Sequence, residues 1–185
     1  SNSVRGLFCG GATPTYQNVI DYAAMASTGN TADFGDLTAA RGLAMGAASP
    51  TRGLTMGGKA PGRSNVIDFV EIATTGNATD FGDLIATISE GSSGSSSTRA
   101  FLGGGTTPSQ VNTIEYVEIA SQGNATDYGD LTAVRAGNTG TSNSVRGISF
   151  AGSDPNGTIN VIDYFIIATG GTAVDFGDAT VSRKE

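Results

Sequence analysis

Arg5, Arg52, Arg99 and Arg146 stand 47 residues apart. A second series keeps step with them: Phe34-Gly35-Asp36, Phe81-Gly82-Asp83, Tyr128-Gly129-Asp130 and, one residue late, Phe176-Gly177-Asp178. A unit this short cannot bury a core alone, so it must stack against its neighbours. The 185 residues therefore read as one domain, 1–185, written as four repeats over 1–40, 41–87, 88–134 and 135–185. The single extra residue falls between Arg146 and Asp163, around Asp154-Pro155-Asn156, where a surface loop accommodates it.

Each unit parses into four strands. The first opens on Arg-Gly and ends in small residues, over 5–11, 52–58, 99–105 and 146–152. A polar loop rich in Pro, Thr, Ser, Gly and Asn follows, which is turn chemistry. The longest candidate strand covers 19–27, 66–74, 113–121 and 161–169. In the second unit Val66, Asp68, Val70 and Ile72 share one face, and Ile67, Phe69, Glu71 and Ala73 the other. Both faces are largely apolar, as in a strand covered on two sides. Gly29-Asn30, Gly76-Asn77, Gly123-Asn124 and Gly170-Gly171 then offer residues suited to a positive φ. A short strand carries the aromatic-Gly-Asp block.

A fourth segment, 41–48, 88–94 or 135–140, precedes the next Arg and thins to Ser and Gly in its second copy. A helical solenoid does not fit, because Gly, Asn and β-branched residues interrupt every window of helical spacing. A parallel β-helix uses shorter coils. Four strands in 47 residues is the arithmetic of a propeller blade. The expected fold is all-β, a β-propeller whose four blades close a ring or form part of a larger one. The first unit lacks the counterpart of 41–48. At the far end Thr180-Val181-Ser182-Arg183 aligns with Thr38-Ala39-Ala40-Arg41.

Composition narrows the function classes. The chain is 38% hydrophobic and 15% charged, too apolar for disorder. Its 28 glycines disfavour a helical bundle. Net charge is −7, and no Lys/Arg cluster exceeds Arg183-Lys184. Phosphate backbones are bound through neutralising cations, so nucleic acid is not an expected partner. No apolar run approaches the roughly 20 residues of a membrane-spanning helix, so membrane insertion is not expected. No secretory leader is legible, and an opening on Ser1 reads as a processed product, an excised domain or a fragment.

There is no His, which excludes Ser–His–Asp and Cys–His nucleophiles and His-ligated zinc or copper. Cys9 has no partner for an intrachain disulfide and reads as a small strand residue. No cofactor is expected.

The recurring charges have structural readings beside functional ones. Arg5, Arg52, Arg99 and Arg146 precede Asp21, Asp68, Glu115 and Asp163 by about sixteen residues, on strands expected to be neighbours. An Arg–carboxylate pair inside each blade satisfies two groups that are costly to bury alone. The functional alternative is a ring of acids lining a central channel. The pairs Asp33/Asp36, Asp80/Asp83, Asp127/Asp130 and Asp175/Asp178 suit Ca²⁺ ligation or backbone-capping turns. Turn capping is the expectation, because calcium loops need more acids at alternating positions. Asn77-Ala78-Thr79 and Asn124-Ala125-Thr126 match a glycosylation sequon and are read as turn chemistry.

Two carboxylates can also hydrolyse glycosides. A catalytic pair should be unique, whereas these recur four times, so a carbohydrate-active enzyme is the less favoured reading. Function is expected where the repeat symmetry breaks, in the loops after the glycine pair. Tyr16, Gln17, Lys59, Arg63, Gln110, Asp154 and Asn156 are the candidate ligand-binding residues there.

The order Arg-Gly, small residues, Gly57-Gly58, variable loop, Val66-Ile67-Asp68-Phe69 and a late aromatic resembles a divergent kelch repeat. Gly10-Gly11, Gly57-Gly58 and Gly104-Gly105 match the kelch glycine pair, and Ala151-Gly152 matches half of it. Tyr22, Phe69, Tyr116 and Tyr164 match its Tyr. With no Trp in the chain, Phe34, Phe81, Tyr128 and Phe176 are expected in the Trp packing role. The wording Ile72-Ala73-Thr74-Thr75-Gly76-Asn77-Ala78-Thr79-Asp80-Phe81-Gly82-Asp83-Leu84 is also similar to repeats in virion structural proteins of tailed phages infecting cyanobacteria and other aquatic bacteria.

That resemblance implies a non-enzymatic virion protein, in a tail or fibre. Its partners would be other virion proteins and a host-surface glycan or protein. A cellular kelch-like adaptor is the first alternative.

Overall fold

A computed structural model describes residues 2–184, and these contain strands and no α-helix. Strands β1 (Arg5–Cys9), β2 (Val19–Ala24) and β3 (Ala32–Asp36) make sheet 1. Sheet 2 has β4 (Met45–Ala48), β5 (Arg52–Met56), β6 (Ser64–Glu71) and β7 (Thr79–Ile88). Sheet 3 has β8 (Ser92–Ser95), β9 (Arg99–Thr106), β10 (Gln110–Glu118) and β11 (Thr126–Arg135). Sheet 4 has β12 (Thr139–Ser142), β13 (Arg146–Asp154), β14 (Gly157–Ile166) and β15 (Val174–Asp178). Every sheet is antiparallel and keeps chain order from edge to edge. Sheet 1 lacks the first edge strand, as the missing counterpart of 41–48 implies.

That edge strand is shorter than the sequence suggests. It begins at Met45, Ser92 and Thr139, because the residues before it carry the chain from one sheet to the next. Leu43, Glu90 and Gly137, at equivalent positions, take φ of 54°, 65° and 62° to make that corner.

Each inner sheet is covered on both faces, and period-2 alternation decides which residue meets which neighbour. Ile67 and Phe69 of β6 face sheet 3, in one core with Leu102, Val117 and Ile119. Val70, on the opposite face, joins Ile20, Phe34 and Leu37 of sheet 1. Phe101, Ile114 and Tyr128 of sheet 3 pack on Phe165 and Ile167 of sheet 4. Three apolar clusters thus separate four sheets. Phe34 and Phe81 fill their seams edge-on to Tyr22 and Phe69, with Phe69–Phe81 centroids 5.8 Å apart and interplanar angle 78°. Tyr128 lies tilted at 36° to Tyr116, and Phe176, expected in the same role, is half-exposed.

The seams also share a polar pattern. Main-chain N–H groups of Gly76 and Ala78 donate to the carbonyls of Phe34 and Asp36, each at 2.7 Å. Gly123 and Ala125 repeat this on Phe81 and Asp83, and Gly171 and Ala173 on Tyr128 and Asp130. Such close approach requires glycine in the aromatic-Gly-Asp block. Gly82 has φ 146°, and a Cβ there would lie 2.4 Å from the Gly123 oxygen. Small residues do the same for the edge strands, where Ser95 Oγ donates to Ala48 O at 2.7 Å and Ser142 Oγ to Ser95 O at 2.8 Å.

The charge pairing differs from the expected one. Antiparallel register sets Arg52 opposite Glu71 and Thr55 opposite Asp68. Arg52 therefore pairs with Glu71 at 2.7 Å, and Arg99 with Glu118 at 2.6 Å. Arg52 also stacks over Phe69 and donates to Ile119 O of sheet 3 at 2.9 Å. The buried acids take a different arginine series. Asp68 holds Arg41 at 2.8 Å, and Asp163 holds Arg135 at 2.7 Å, all four side chains being at most 2% exposed. Arg41 follows the last strand of sheet 1 and Arg135 ends the last strand of sheet 3, and each reaches into the next sheet.

Burial sets the expected costs. Asp163→Ala leaves Arg135 charged and buried without its carboxylate, so it should lower unfolding free energy by about 3–5 kcal/mol. Glu71→Ala breaks a pair whose carboxylate is half-exposed and should cost no more than about 1 kcal/mol. Urea titration of the two variants checks the ranking.

Candidate functional site

Three regions were legible as candidates: the loops after the glycine pair, a channel with acids, and the paired aspartates. The loops join β1 to β2, β5 to β6, β9 to β10 and β13 to β14, and so leave equivalent ends of the four sheets. Tyr16 is half-buried, its ring close against Gly42. Gln17 bends back to donate to Thr15 O at 2.9 Å. Lys59 and Gly42 exchange main-chain bonds of 2.8 and 3.0 Å, which ties the loop of sheet 2 to the segment leaving sheet 1. Arg63 donates to Ser89 Oγ at 3.3 Å.

Gln110 reaches from sheet 3 to Ser153 O of sheet 4 at 2.8 Å. Asp154 Oδ1 accepts from the N–H groups of Asn156 and Gly157, closing the hairpin. The seven residues are distributed over four neighbouring loops, and several of them brace those loops.

The second region is a groove of about 750 Å³ lined by β1 and the edge strands β4, β8 and β12. Its walls are small and neutral: Gly46, Ala47, Ser93, Gly94, Ser95, Gly140, Thr141 and Ser142 face it together with Leu7 and Phe8. No acid lines it. The channel-lining alternative for Asp68, Glu115 and Asp163 therefore fails geometrically, since they sit on the third strand of their sheets, at 0%, 3% and 0% exposure. Cys9 borders the groove, and burial pushes its thiol above the ordinary range, which favours the thiol over the thiolate.

The first aspartate of each pair caps a turn, whereas the second, Asp36, Asp83, Asp130 or Asp178, accepts no side-chain bond among the described residues. Asp33, Asp80, Asp127 and Asp175 each accept through Oδ1 from the N–H two residues on, at Gly35, Gly82, Gly129 and Gly177. The sequon asparagines bind across the seam: Asn77 Oδ1 accepts from Asp36 N at 3.1 Å and Asn124 Oδ1 from Asp83 N at 3.0 Å. Among the described residues no three His, Cys, Asp or Glu side chains come together.

The residues that sequence reasoning missed are Arg41 and Arg135. Their signal was available: the positions 41, 88, 135 and 183 recur with the same period as Arg, Ile, Arg and Arg. Unit 2 is the exception, and its effect falls on Glu115. Thr38 donates N–H and Oγ1–H to Asp68, and Thr132 does so to Asp163. Ile85 and Ile88 replace that threonine and arginine, so among the described residues Glu115 accepts only the Ile85 N–H, at 2.8 Å.

Burial without a cation raises the Glu115 pKa, opposed by the Ile85 bond and aided by Asp127. Arg41 and Arg135 are shifted downward by burial, against the opposing pull of Asp68 and Asp163.

An acid with a raised native pKa binds its proton more tightly in the folded chain. Its ionisation thus subtracts from stability as pH climbs through the native value. Glu115→Gln, which keeps an acceptor for Ile85, should raise the melting temperature at pH 7. The gain should shrink toward zero as pH falls to the ordinary glutamate value of about 4.3. Melting curves across pH for both proteins check this sign. Neither a protein-family model nor a curated protein matches the chain, so its own residues carry the functional argument.

Proposed function

We propose that the protein is a non-enzymatic virion structural component of a tailed phage, in the tail or a fibre. In this reading it is a kelch-like β-propeller module that presents its loops to a host-surface glycan or protein. The observation that supports it is the use of the recurring charged side chains. Arg41, Asp68, Arg135, Asp163 and the first aspartate of each pair, Asp33, Asp80 and Asp127, are engaged in holding sheets and turns together. The residues that differ between units are concentrated in the four aligned loops, where a rigid repeat scaffold displays variable chemistry. The groove's described walls are small and neutral, which suits packing or contact along a surface.

Gradient-purified virions analysed by mass spectrometry should contain the chain in stoichiometric amount. Its presence only in the host-cell fraction would favour the adaptor alternative. Within the loops, Lys59→Ala combined with Arg63→Ala should weaken adsorption to host cells several-fold. Loss of the Arg63 bond to Ser89 should lower stability by about 1 kcal/mol, too little to unfold the scaffold. Turnover of a surface polysaccharide by the purified chain would overturn the non-enzymatic reading.

A further inference from the structure

The three seams share a main-chain pattern and a late aromatic, two of them add an Arg–Asp pair, and both halves of this set recur at the ends of the molecule without a partner among the described residues. On sheet 4, Phe176 is 50% exposed, whereas Phe34, Phe81 and Tyr128 are 2%, 3% and 9% exposed. Gly177 keeps a φ of 132°, yet a Cβ there would meet nothing within 4 Å. At Gly35, Gly82 and Gly129 that space is filled by main chain of the next sheet. On sheet 1, Phe8 and Met25 are 60% and 61% exposed on the face where sheets 2, 3 and 4 receive their predecessor.

The charges match as well. Arg183 follows β15 along the course that Arg41 follows after β3. Its N–H donates to Ile159 O and its carbonyl accepts from Gly152, as Arg41 does with Gln17 and Gly11. Arg41 and Arg135 from there enter the next sheet and meet Asp68 and Asp163. Arg183 is exposed, and among the described residues its side chain has no partner. Asp21, the counterpart of Asp68 on sheet 1, is half-buried and likewise accepts no bond among the described residues. Thr180 stands where Thr38 and Thr132 donate to that acid. Arginine at this position is not demanded by a sheet's own packing, because unit 2 carries Ile88 there.

We infer that the open end of sheet 4 docks on sheet 1 of a second copy of this chain, through the same seam that joins successive sheets within one copy. Arg183 and Thr180 of one copy then bind Asp21 of the other, and Phe176 packs beneath the turn at Gly29-Asn30. The contact is head-to-tail: used twice it closes a dimer, and used once per pair it extends a chain of copies. This inference is independent of the virion reading, since it concerns only the repeat's own complementarity.

Sedimentation velocity on the 185-residue chain tests it. Species of at least twice 18.5 kDa should grow in as concentration rises to about 0.1 mM. Asp21→Lys damages the head, and Phe176→Asp with Arg183→Glu damages the tail. Each variant alone should sediment as a single copy with unchanged circular dichroism, because among the described residues these side chains make no hydrogen bond or ion pair within the copy, and Phe176 meets only the edge of the Tyr164 ring, at the open surface of sheet 4. An equimolar mixture of the two variants retains one intact head and one intact tail, and should regain a two-copy species. A wild-type chain that stays single throughout would overturn the inference. So would association that survives both variants, or a mixture that stays single.

Discussion

The structure depends on a carboxylate placed in the middle of a strand, on the face that receives the preceding sheet. Asp68 and Asp163 are fully buried, and an ionised acid there is tolerable only because donors from the preceding sheet converge on it. That requirement fixes the relative position of successive sheets more sharply than apolar packing can, because hydrogen bonds are directional and hydrophobic contact is not. The carbonyls of the aromatic-Gly-Asp blocks and the N–H groups of the following turns extend the same registration along the strand. Glycine at 35, 82 and 129 lets the two main chains approach closely enough for these bonds to form.

The middle seam shows what happens when the polar set is reduced. Ile85 and Ile88 remove a hydroxyl and a guanidinium, and the seam between sheets 2 and 3 relies more on its apolar cluster, the largest of the three. Ile88 is 1% exposed and Leu84 4% exposed in that cluster. Glu115 retains one main-chain donor and carries a raised pKa as the consequence. One repeat can thus exchange charge pairing for side-chain volume without changing its sheet order, a trade consistent with the near break-even energetics of buried ion pairs.

Much of the organisation was legible in the residues. The 47-residue step, the two-sided apolar strand at 66–74 and the Gly-Asn turns identified four strands per unit, and β4–β7, β8–β11 and β12–β15 are four-stranded sheets. The incomplete first unit was legible from the absence of residues equivalent to 41–48. The start of the edge strands was not, because Leu43 and Glu90 are ordinary side chains in a left-handed conformation that composition does not announce. The partner of Asp68 was missed for a related reason. Spacing suggested Arg52, but register is a property of paired strands, and it places Glu71 opposite Arg52 and leaves Asp68 to an arginine from another sheet. Among the loop candidates, the bracing roles of Gln110 and Arg63 likewise depend on groups that lie 43 and 26 residues away.

Alternation and repetition by themselves determined that this chain makes short strands with turns at fixed intervals, since side-chain period and turn chemistry are local properties of a few consecutive residues. Composition adds that these 185 residues supply no His side chain. Only the tertiary structure decided which face of each strand meets which neighbour, which arginine satisfies which acid, and that Phe176 and Asp21 stand at uncovered ends. Those outcomes follow from burial and from contacts between residues tens of positions apart, and a buried charge acquires its partner only when the sheets come together.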